Sequence, residues 1–207
     1  MLLERHLIDF FKGITFLVIL VLMAFYDAWN LTAAWLYLGL HGSYGLLWVV
    51  KGQLFPDANW QRPLTMGRAL FLAVGLTAYW GAGWLTISRR VEPPLLVIAF
   101  APALYGLGVF FHFGGDLQKS TALKLRPNKL VQTGLFARVR NINYFGELLI
   151  YLSFALVARH WFPFLVLAAA LILVWLPNMW AKDRSLSRYP DFDAYQRRSW
   201  LFIPFLY

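Results

Sequence analysis

Polar and ionisable side chains occur together in the C-terminal half, at the start of an apolar segment. Asn143, Glu147 and Tyr151 follow one another at intervals of four residues, so a helix would place all three on one face. Glu147 is the one carboxylate well inside any later apolar segment. An ionisable group inside a membrane span is expected to face a cavity and to have a partner. The pattern favours a binding site, and the alternative is a structural Glu147 paired with a neighbouring Lys or Arg.

Several other chemistries are excluded by the composition of the chain. It contains no cysteine, which excludes disulfides, thiolate nucleophiles and Cys-ligated metal centres. The four histidines lack metal-ligand spacing, and His112 and His160 stand at the ends of apolar segments, where we expect them to lie at the membrane interface. Gly106 and Gly108 lie inside an apolar helix, and there is no P-loop lysine motif. The usual nucleotide-binding signatures are therefore missing, and no metal site is predicted.

The elements that must position the polar residues are membrane helices. Of the 207 residues, 60% are hydrophobic and 14% are charged, whereas a soluble domain is about half apolar and about a quarter charged. These values exclude an ordinary soluble enzyme, a disordered chain and a nucleic-acid-binding domain. The sequence predicts an all-α, polytopic bundle of about six transmembrane helices. The apolar segments are 13–28, 31–50, 67–87, 94–113, 143–159 and 161–179.

Short polar breaks between these segments predict tight connections. The first two segments are separated only by Asp27–Asn30, and the last two only by Arg159-His160. No composition change marks a second domain. We therefore predict a single integral membrane domain over 1–207, in which 1–113 contains the substrate cavity and 114–207 binds the cofactor.

Basic residues are distributed unevenly between the two sides of the predicted membrane. The formal net charge is +9, and 16 of the 19 Lys and Arg residues fall on the side of both termini. The positive-inside rule then predicts cytoplasmic termini. We expect a polar, basic loop at 114–142 and an amphipathic tail at 180–207 to form a cytoplasmic cap. The alternative for the tail is an interfacial helix whose basic residues bind anionic lipid headgroups.

Short motifs between Asp116 and Tyr207 carry a resemblance to a known superfamily. They are Asp116-Leu117-Gln118-Lys119, Gly134-Leu135-Phe136, Asn143-Tyr144-Phe145-Gly146-Glu147, Phe192-Asp193-Ala194-Tyr195 and Ile203-Pro204-Phe205-Leu206-Tyr207. In this order and spacing, the segment resembles the C-terminal catalytic region of the steroid 5α-reductase and sterol reductase superfamily. It is also similar to the related isoprenylcysteine carboxyl methyltransferases. The resemblance covers under half of the chain.

The two branches of this resemblance use different cofactors. The reductases carry an Asn-Tyr/Phe-x-Gly-Glu/Asp motif, a preceding Gln-Lys and an Ile-Pro-Phe/Tyr-like terminus, which this chain matches. The methyltransferases typically have Arg-His-Pro before the Tyr and a Glu-Glu pair after the last span. Here Arg140 is followed by Asn141-Ile142, and the later position reads Lys182-Asp183-Arg184. A basic cap also suits the polyanion NADPH better than the sulfonium cation of S-adenosylmethionine. The reductase branch is the closer one, and it implies NADPH.

The resemblance also implies an activity and a set of site residues. The activity is the reduction of an activated C=C bond in a lipophilic substrate of steroid, sterol or isoprenoid type that enters from the bilayer. Hydride addition to such a bond requires an acid that hydrogen-bonds the substrate carbonyl. The resemblance is weaker in the early spans, where Tyr79 and Asp57 are the catalytic candidates for this role. The alternatives are an interfacial or core tyrosine for Tyr79 and a polar loop residue after a helix for Asp57. The resemblance implies cofactor binding by Asp116, Arg140, Asn143, Glu147, Arg184 and Tyr195. Lys119, Arg138 and Tyr144 lie in the same motifs and loop and complete the nine cofactor-binding candidates.

Two alternatives remain open on the same scaffold. One is an S-adenosylmethionine-dependent membrane methyltransferase of the isoprenylcysteine or phospholipid type. The other is a non-catalytic lipid-binding membrane protein. The expected partners are membrane lipids and a lipophilic small molecule, with no nucleic acid and no obligate protein partner.

Overall fold

The computed structural model describes residues 2–57 and 60–206, and nearly all of its regular structure is helical. Within these residues no strand forms, and the β pairings are two isolated bridges, Leu3 with Pro63 and Val139 with Trp200. The predicted all-α class is confirmed. In chain order the α-helices of the described part are α1 (Glu4–Phe25), α2 (Thr32–Tyr37), α3 (Ser43–Leu54), α4 (Met66–Ser88), α5 (Leu95–Leu125), α6 (Ile142–Ala158), α7 (Trp161–Ala170), α8 (Leu176–Leu186) and α9 (Phe192–Arg197).

Among the described residues, four helical stretches are long and apolar enough to cross a membrane. They are α1, α4, α5 and the stretch Trp161–Leu186, in which a π-helical turn joins α7 to α8. The short apolar helix α6 and the helical stretch 32–54, where a π-helical turn joins α2 to α3, correspond to the other two predicted spans. The chain is therefore an integral membrane protein. The cytoplasmic placement of its termini stays a prediction.

Several predicted boundaries were wrong. The first span was predicted to begin at position 13, directly after Lys12, but its helix begins at Glu4. Lys12 is buried inside the protein, so it is accommodated within the helix. The basic loop predicted at 114–142 is helical up to Leu125, since Leu117–Leu125 is rich in strong helix formers and a helix need not end where hydropathy falls. The last span likewise continues to Leu186. The predicted turn at Asp27–Asn30 is confirmed, with Asp27 at a φ of 46°.

The chain divides into two compact units, which are described separately. The first unit comprises Met1–Ala103 and Leu152–Val166, and the second comprises Leu104–Tyr151 and Leu167–Tyr207. The prediction of a single functional domain, with substrate cavity and cofactor region divided at 113, stays a prediction.

The first unit has a polar stripe in its interior. Successive turns of the 32–54 stretch bury Tyr37, His41, Tyr44, Trp48 and Lys51, which recur every three or four residues and so share one face. The Lys12 ammonium donates to the Tyr44 hydroxyl at 3.0 Å, and the Tyr37 hydroxyl is 2.9 Å from Nδ1 of His41. Apolar periodicity alone does not reveal such a stripe, because Tyr and Trp count as hydrophobic.

The second unit depends on a close approach of α5 and α6. A Cβ at Gly146 would overlap the backbone nitrogen of His112, and one at Gly108 would lie 2.7 Å from the Gly146 carbonyl oxygen. Gly115 continues this contact, facing Ile142. The absence of side chains at these positions lets the two helix backbones touch, which sets the spacing of the polar residues between them.

Candidate functional site

Asp116 on α5 and Asn143 on α6 form the centre of the candidate site in the second unit. The side-chain amide of Asn143 donates to Oδ1 of Asp116 at 3.2 Å, and Asp116 is only 6% exposed. The glycine contact described above brings the two helices together one turn away from this pair. The sequence placed both residues among the cofactor ligands, and the fold brings them into direct contact.

The side-chain oxygen of Asn143 is more informative than its amide nitrogen. Oδ1 of Asn143 is buried and has no hydrogen-bond partner among the described residues. An unmet acceptor of this kind costs about 1–3 kcal/mol in a folded protein, so native structures rarely keep one without a reason. A ligand that donates an N–H or O–H group to Asn143 would remove this cost.

His112 borders the same site, which corrects the expectation of an interfacial side chain. It is 3% exposed, and its Nδ1 lies 3.1 Å from the backbone carbonyl oxygen of Asn143. The physical reason is the close α5–α6 contact, because the position facing Gly146 on α5 is inside the unit. Sequence reasoning missed this residue, although its spacing of four from both Gly108 and Asp116 places it on the same helix face.

Lys182 on α8 is a second residue that the sequence interpretation did not assign to the site. Its ammonium donates to the Arg140 carbonyl oxygen at 2.7 Å and to Oδ1 of Asn141 at 2.9 Å. Its charge also interacts with those of Asp116 and Lys119. Lys182 therefore links the start of α6 to α8.

Arg140 is fully engaged by the protein itself. It is 7% exposed, forms an ion pair with Asp183 at 3.0 Å, and donates from Nη1 to the Ser199 carbonyl oxygen at 2.6 Å. Its guanidinium thus ties the C-terminal tail to α8. This geometry fits a residue that positions the site better than one that contacts a phosphate directly.

Tyr195 has a similar anchoring contact. It is 1% exposed, and its hydroxyl donates to the Phe136 carbonyl oxygen at 2.6 Å. Burial raises the pKa of the Tyr195 phenol above its usual range, so the hydroxyl stays protonated and remains a donor. The backbone completes the junction, because Arg140 N donates to the Trp200 carbonyl and Trp200 N donates to the Arg138 carbonyl.

The remaining cofactor candidates lie around the contacts of Asp116, Asn143, Arg140 and Tyr195. Lys119 is half-buried one turn after Asp116, and Glu147 is half-buried one turn after Asn143. The Tyr144 ring packs on Trp175 at 5.7 Å between centroids. Arg138 and Arg184 are exposed, at one edge of the loop before α6 and on α8. Asn143, Glu147 and Tyr151 all lie in α6, as the spacing predicted, and Asn143 contacts Asp116 whereas Tyr151 packs on Trp175.

The two catalytic candidates belong to the first unit. Tyr79 is half-buried on α4, and Asp57 follows α3 and lines an open cleft. All nine cofactor candidates belong to the second unit. Across the described residues, no group of three or more His, Asp or Glu side chains is arranged to hold a metal ion.

Comparison with known proteins places the chain in a family. The comparison with curated proteins gives no match. Residues 71–199 match the family described as "Protein of unknown function (DUF1295)", which includes steroid 5α-reductase-like proteins. This stretch contains Tyr79 and all nine cofactor candidates, whereas Asp57 precedes it. Since the match covers more than half of the length of the chain, the chain belongs to the DUF1295 family.

Proposed function

We propose that the protein is a membrane NADPH-dependent reductase that acts on an activated C=C bond of a lipophilic substrate of steroid, sterol or isoprenoid type. The observation that carries this proposal is the buried Asp116–Asn143 pair with its unmet Asn143 oxygen. The family and the apolar helices support it, since the family includes steroid 5α-reductase-like proteins.

The residues of the second unit fit the nicotinamide cofactor. Its carboxamide has both an N–H donor and a carbonyl acceptor, and Oδ1 of Asn143 is a buried acceptor that such a donor would satisfy. Lys119, Arg138 and Arg184 supply cationic groups that are half-buried or exposed and suit phosphate oxygens. When bound, NADPH supplies the hydride. Arg140 and Tyr195 would act by positioning, because their polar groups already hold the tail.

The substrate carbonyl requires an acid in this reaction. Addition of hydride to one carbon of a conjugated C=C bond places negative charge on the carbonyl oxygen, and a hydrogen-bond donor stabilises that charge. Tyr79 and Asp57 stay the proposed donors. A phenol is a donor at neutral pH without further change, whereas an aspartic acid must first be protonated, so Tyr79 is the simpler candidate.

The methyltransferase alternative is weakened by one contact. At the position where the related methyltransferases have a Glu-Glu pair, this chain has Asp183, and its carboxylate is neutralised by Arg140 at 3.0 Å. The buried carboxylate of Asp116 is nevertheless compatible with a sulfonium cation. A direct comparison of the two cofactors therefore decides between the branches.

The test is a binding titration of the detergent-purified chain with NADPH, NADH and S-adenosylmethionine at low and moderate salt. We expect NADPH to bind most tightly and to weaken with salt, because exposed phosphate contacts are screened. Asn143→Leu should weaken NADPH binding about 10-fold, since it removes the buried acceptor. Asn178→Leu makes the same chemical change at an exposed position of α8 and should have no effect.

Three outcomes would contradict the proposal. Tight binding of S-adenosylmethionine without NADPH would favour the methyltransferase. Binding of neither cofactor would favour the non-catalytic lipid-binding protein. Equal effects of Asn143→Leu and Asn178→Leu would remove Asn143 from the cofactor site.

A further inference from the structure

The open cleft of the first unit has a composition that reduction of a C=C bond does not explain. It lies where α1 begins and α3 ends, at the polar ends of two apolar helices. Such ends are where Trp and basic side chains meet lipid headgroups in membrane proteins. The charged and aromatic lining consists of Arg5, Asp9, Trp48, Lys51, Asp57 and Trp60.

Two of the four charged residues of this cleft, Asp9 and Lys51, contact Trp48. The indole Nε1 of Trp48 donates to Oδ1 of Asp9 at 3.1 Å. The Lys51 ammonium lies 4.8 Å from the centroid of the same ring, and the Lys12 ammonium lies 3.7 Å from it. Lys51 is 4% exposed, so its position is fixed by packing. Groups of both signs are thus fixed around one indole.

The mixture of charges indicates the class of ligand. A purely anionic headgroup would meet the carboxylates of Asp9 and Asp57, and a purely cationic group would meet Arg5 and Lys51. A zwitterion with separated phosphate and ammonium groups can face a partner of opposite charge at both ends. The indole of Trp60, the second Trp of the lining, adds a favourable surface for the ammonium group through cation–π contact.

We propose that this cleft binds the headgroup of a zwitterionic phospholipid. The phosphate lies against Arg5 and Lys51, and the ammonium group lies against Asp57 and Trp60. This inference goes beyond the proposed reductase and does not depend on it. It assigns Asp57 to headgroup recognition, which leaves Tyr79 as the candidate acid of the reduction.

The test uses the full chain in dodecyl maltoside and three short-chain lipids with identical dihexanoyl tails. Phosphatidylethanolamine and phosphatidylcholine are zwitterionic, and phosphatidylglycerol is anionic. Broadening of the ³¹P resonance on titration with protein reports the binding of each lipid below its micelle concentration. We expect both zwitterionic lipids to bind about 5-fold or more tightly than phosphatidylglycerol, because only they offer a partner to the carboxylates.

Two substitutions separate the two ends of the headgroup. Asp57→Asn should weaken binding of the zwitterionic lipids and leave phosphatidylglycerol unchanged or bound more tightly, because it removes a carboxylate. Lys51→Met should weaken all three lipids, since all carry the phosphate. Asp193→Asn and Lys129→Met make the same charge changes at exposed positions of the second unit and serve as controls.

The proposal fails if phosphatidylglycerol binds as tightly as the zwitterionic lipids, or if none of the three binds. It also fails if the cleft variants change binding no more than their controls do. Circular dichroism and gel filtration check that each variant is folded. If Lys51→Met does not fold, Arg5→Gln replaces it at the phosphate end, because Arg5 is only half-buried.

Discussion

At the scale of single residues, the second unit is held together by buried and half-buried polar side chains that donate to backbone carbonyls. Arg140, Lys182 and Tyr195 each donate to a carbonyl oxygen in another part of the chain. Gln118 does the same, donating to the Thr133 carbonyl at 2.7 Å while accepting from the Leu135 amide at 3.0 Å. Irregular segments without their own secondary structure need such partners when they are buried.

These contacts explain part of what the sequence motifs encode. Gln118 belongs to one motif and accepts a hydrogen bond from the Leu135 amide of the next motif. In the same way Tyr195 donates to the Phe136 carbonyl, and Asn143 donates to Asp116. The motifs are far apart along the chain and meet in space. Their order and spacing could be read from the sequence, but which residues hold the structure together and which are available to a ligand could not. The sequence does not distinguish an Arg that positions the tail from an Arg that is available to bind phosphate. The burial of each side chain in the structure does distinguish them.

The first prediction concerns Arg140 and its ion pair. Arg140→Gln should destabilise the protein by about 3 kcal/mol, because it leaves the Asp183 carboxylate without its partner at a site of low exposure. The double variant Arg140→Gln/Asp183→Asn should lose less than the two single variants together, since it leaves no charge unpaired. Reversible unfolding in mixed micelles measures these differences.

The same variants test whether Arg140 positions the site or binds the cofactor. If it acts by positioning, Arg140→Gln/Asp183→Asn should recover part of the NADPH affinity lost in Arg140→Gln. If Arg140 contacts a phosphate, removing Asp183 cannot restore that contact, and affinity should stay low. Recovery without any change in stability would contradict the anchoring role derived from the geometry.

At the scale of elements, the predicted segments correspond to real helices, and the errors lie at their ends. The turn at Asp27–Asn30 was recognisable because it is a short polar break between two apolar segments, and the structure gives Asp27 a positive φ there. The continuation of α5 to Leu125 was not, since hydropathy reports on lipid contact and not on backbone hydrogen bonding. The π-helical turns at Leu38–Gly42 and Leu171–Trp175 also have no simple sequence signal.

Helix α5 contains a matched pair of glycines for the second prediction. Gly108 faces the Gly146 carbonyl, whereas a Cβ at Gly106 would have nothing within 4 Å. Gly108→Ala should therefore force α5 and α6 apart and destabilise the protein by about 1–3 kcal/mol. Gly106→Ala should be neutral or stabilise by up to about 1 kcal/mol, because alanine favours the helix.

The consequence for the site follows from the same geometry. Separation of α5 and α6 would lengthen the 3.2 Å contact between Asn143 and Asp116, so Gly108→Ala should also reduce NADPH binding. Thermal unfolding in detergent and the nucleotide titration measure the two effects. Equal behaviour of the two alanine variants would mean that the glycine contact does not set the spacing of the site.

At the scale of the whole molecule, the family match and the candidate sites divide the chain in the same way. All nine cofactor candidates lie within residues 71–199, whereas the charged lining of the first unit's cleft lies between Arg5 and Trp60. The proposed cofactor-binding residues thus lie within the part that matches the family. The cleft is formed by the part outside it. We therefore expect cofactor binding to be the property shared with the family and headgroup binding to be a property of this chain's N-terminal helices.

The orientation of the chain gives the third prediction. The predicted topology puts 16 of the 19 basic residues on the side of both termini, and it puts the exposed residues Lys129 and Ser187 on the same side. Glu92 is exposed in the turn between α4 and α5, on the predicted opposite side. Because the chain has no cysteine, each of the variants Lys129→Cys, Ser187→Cys and Glu92→Cys contains a single thiol, and all labelling of the protein reports on that position.

Labelling of intact cells with a membrane-impermeant maleimide distinguishes the two sides. Glu92→Cys should react in intact cells, whereas Lys129→Cys and Ser187→Cys should react only after the membrane is opened, because the basic side is retained in the cytoplasm. The unsubstituted chain controls for background, and denatured samples establish that each thiol can react. NADPH is a cytoplasmic reductant, so the reductase proposal requires this orientation. Labelling of Lys129→Cys in intact cells would place the basic cap outside and would contradict both the orientation and the proposed cofactor.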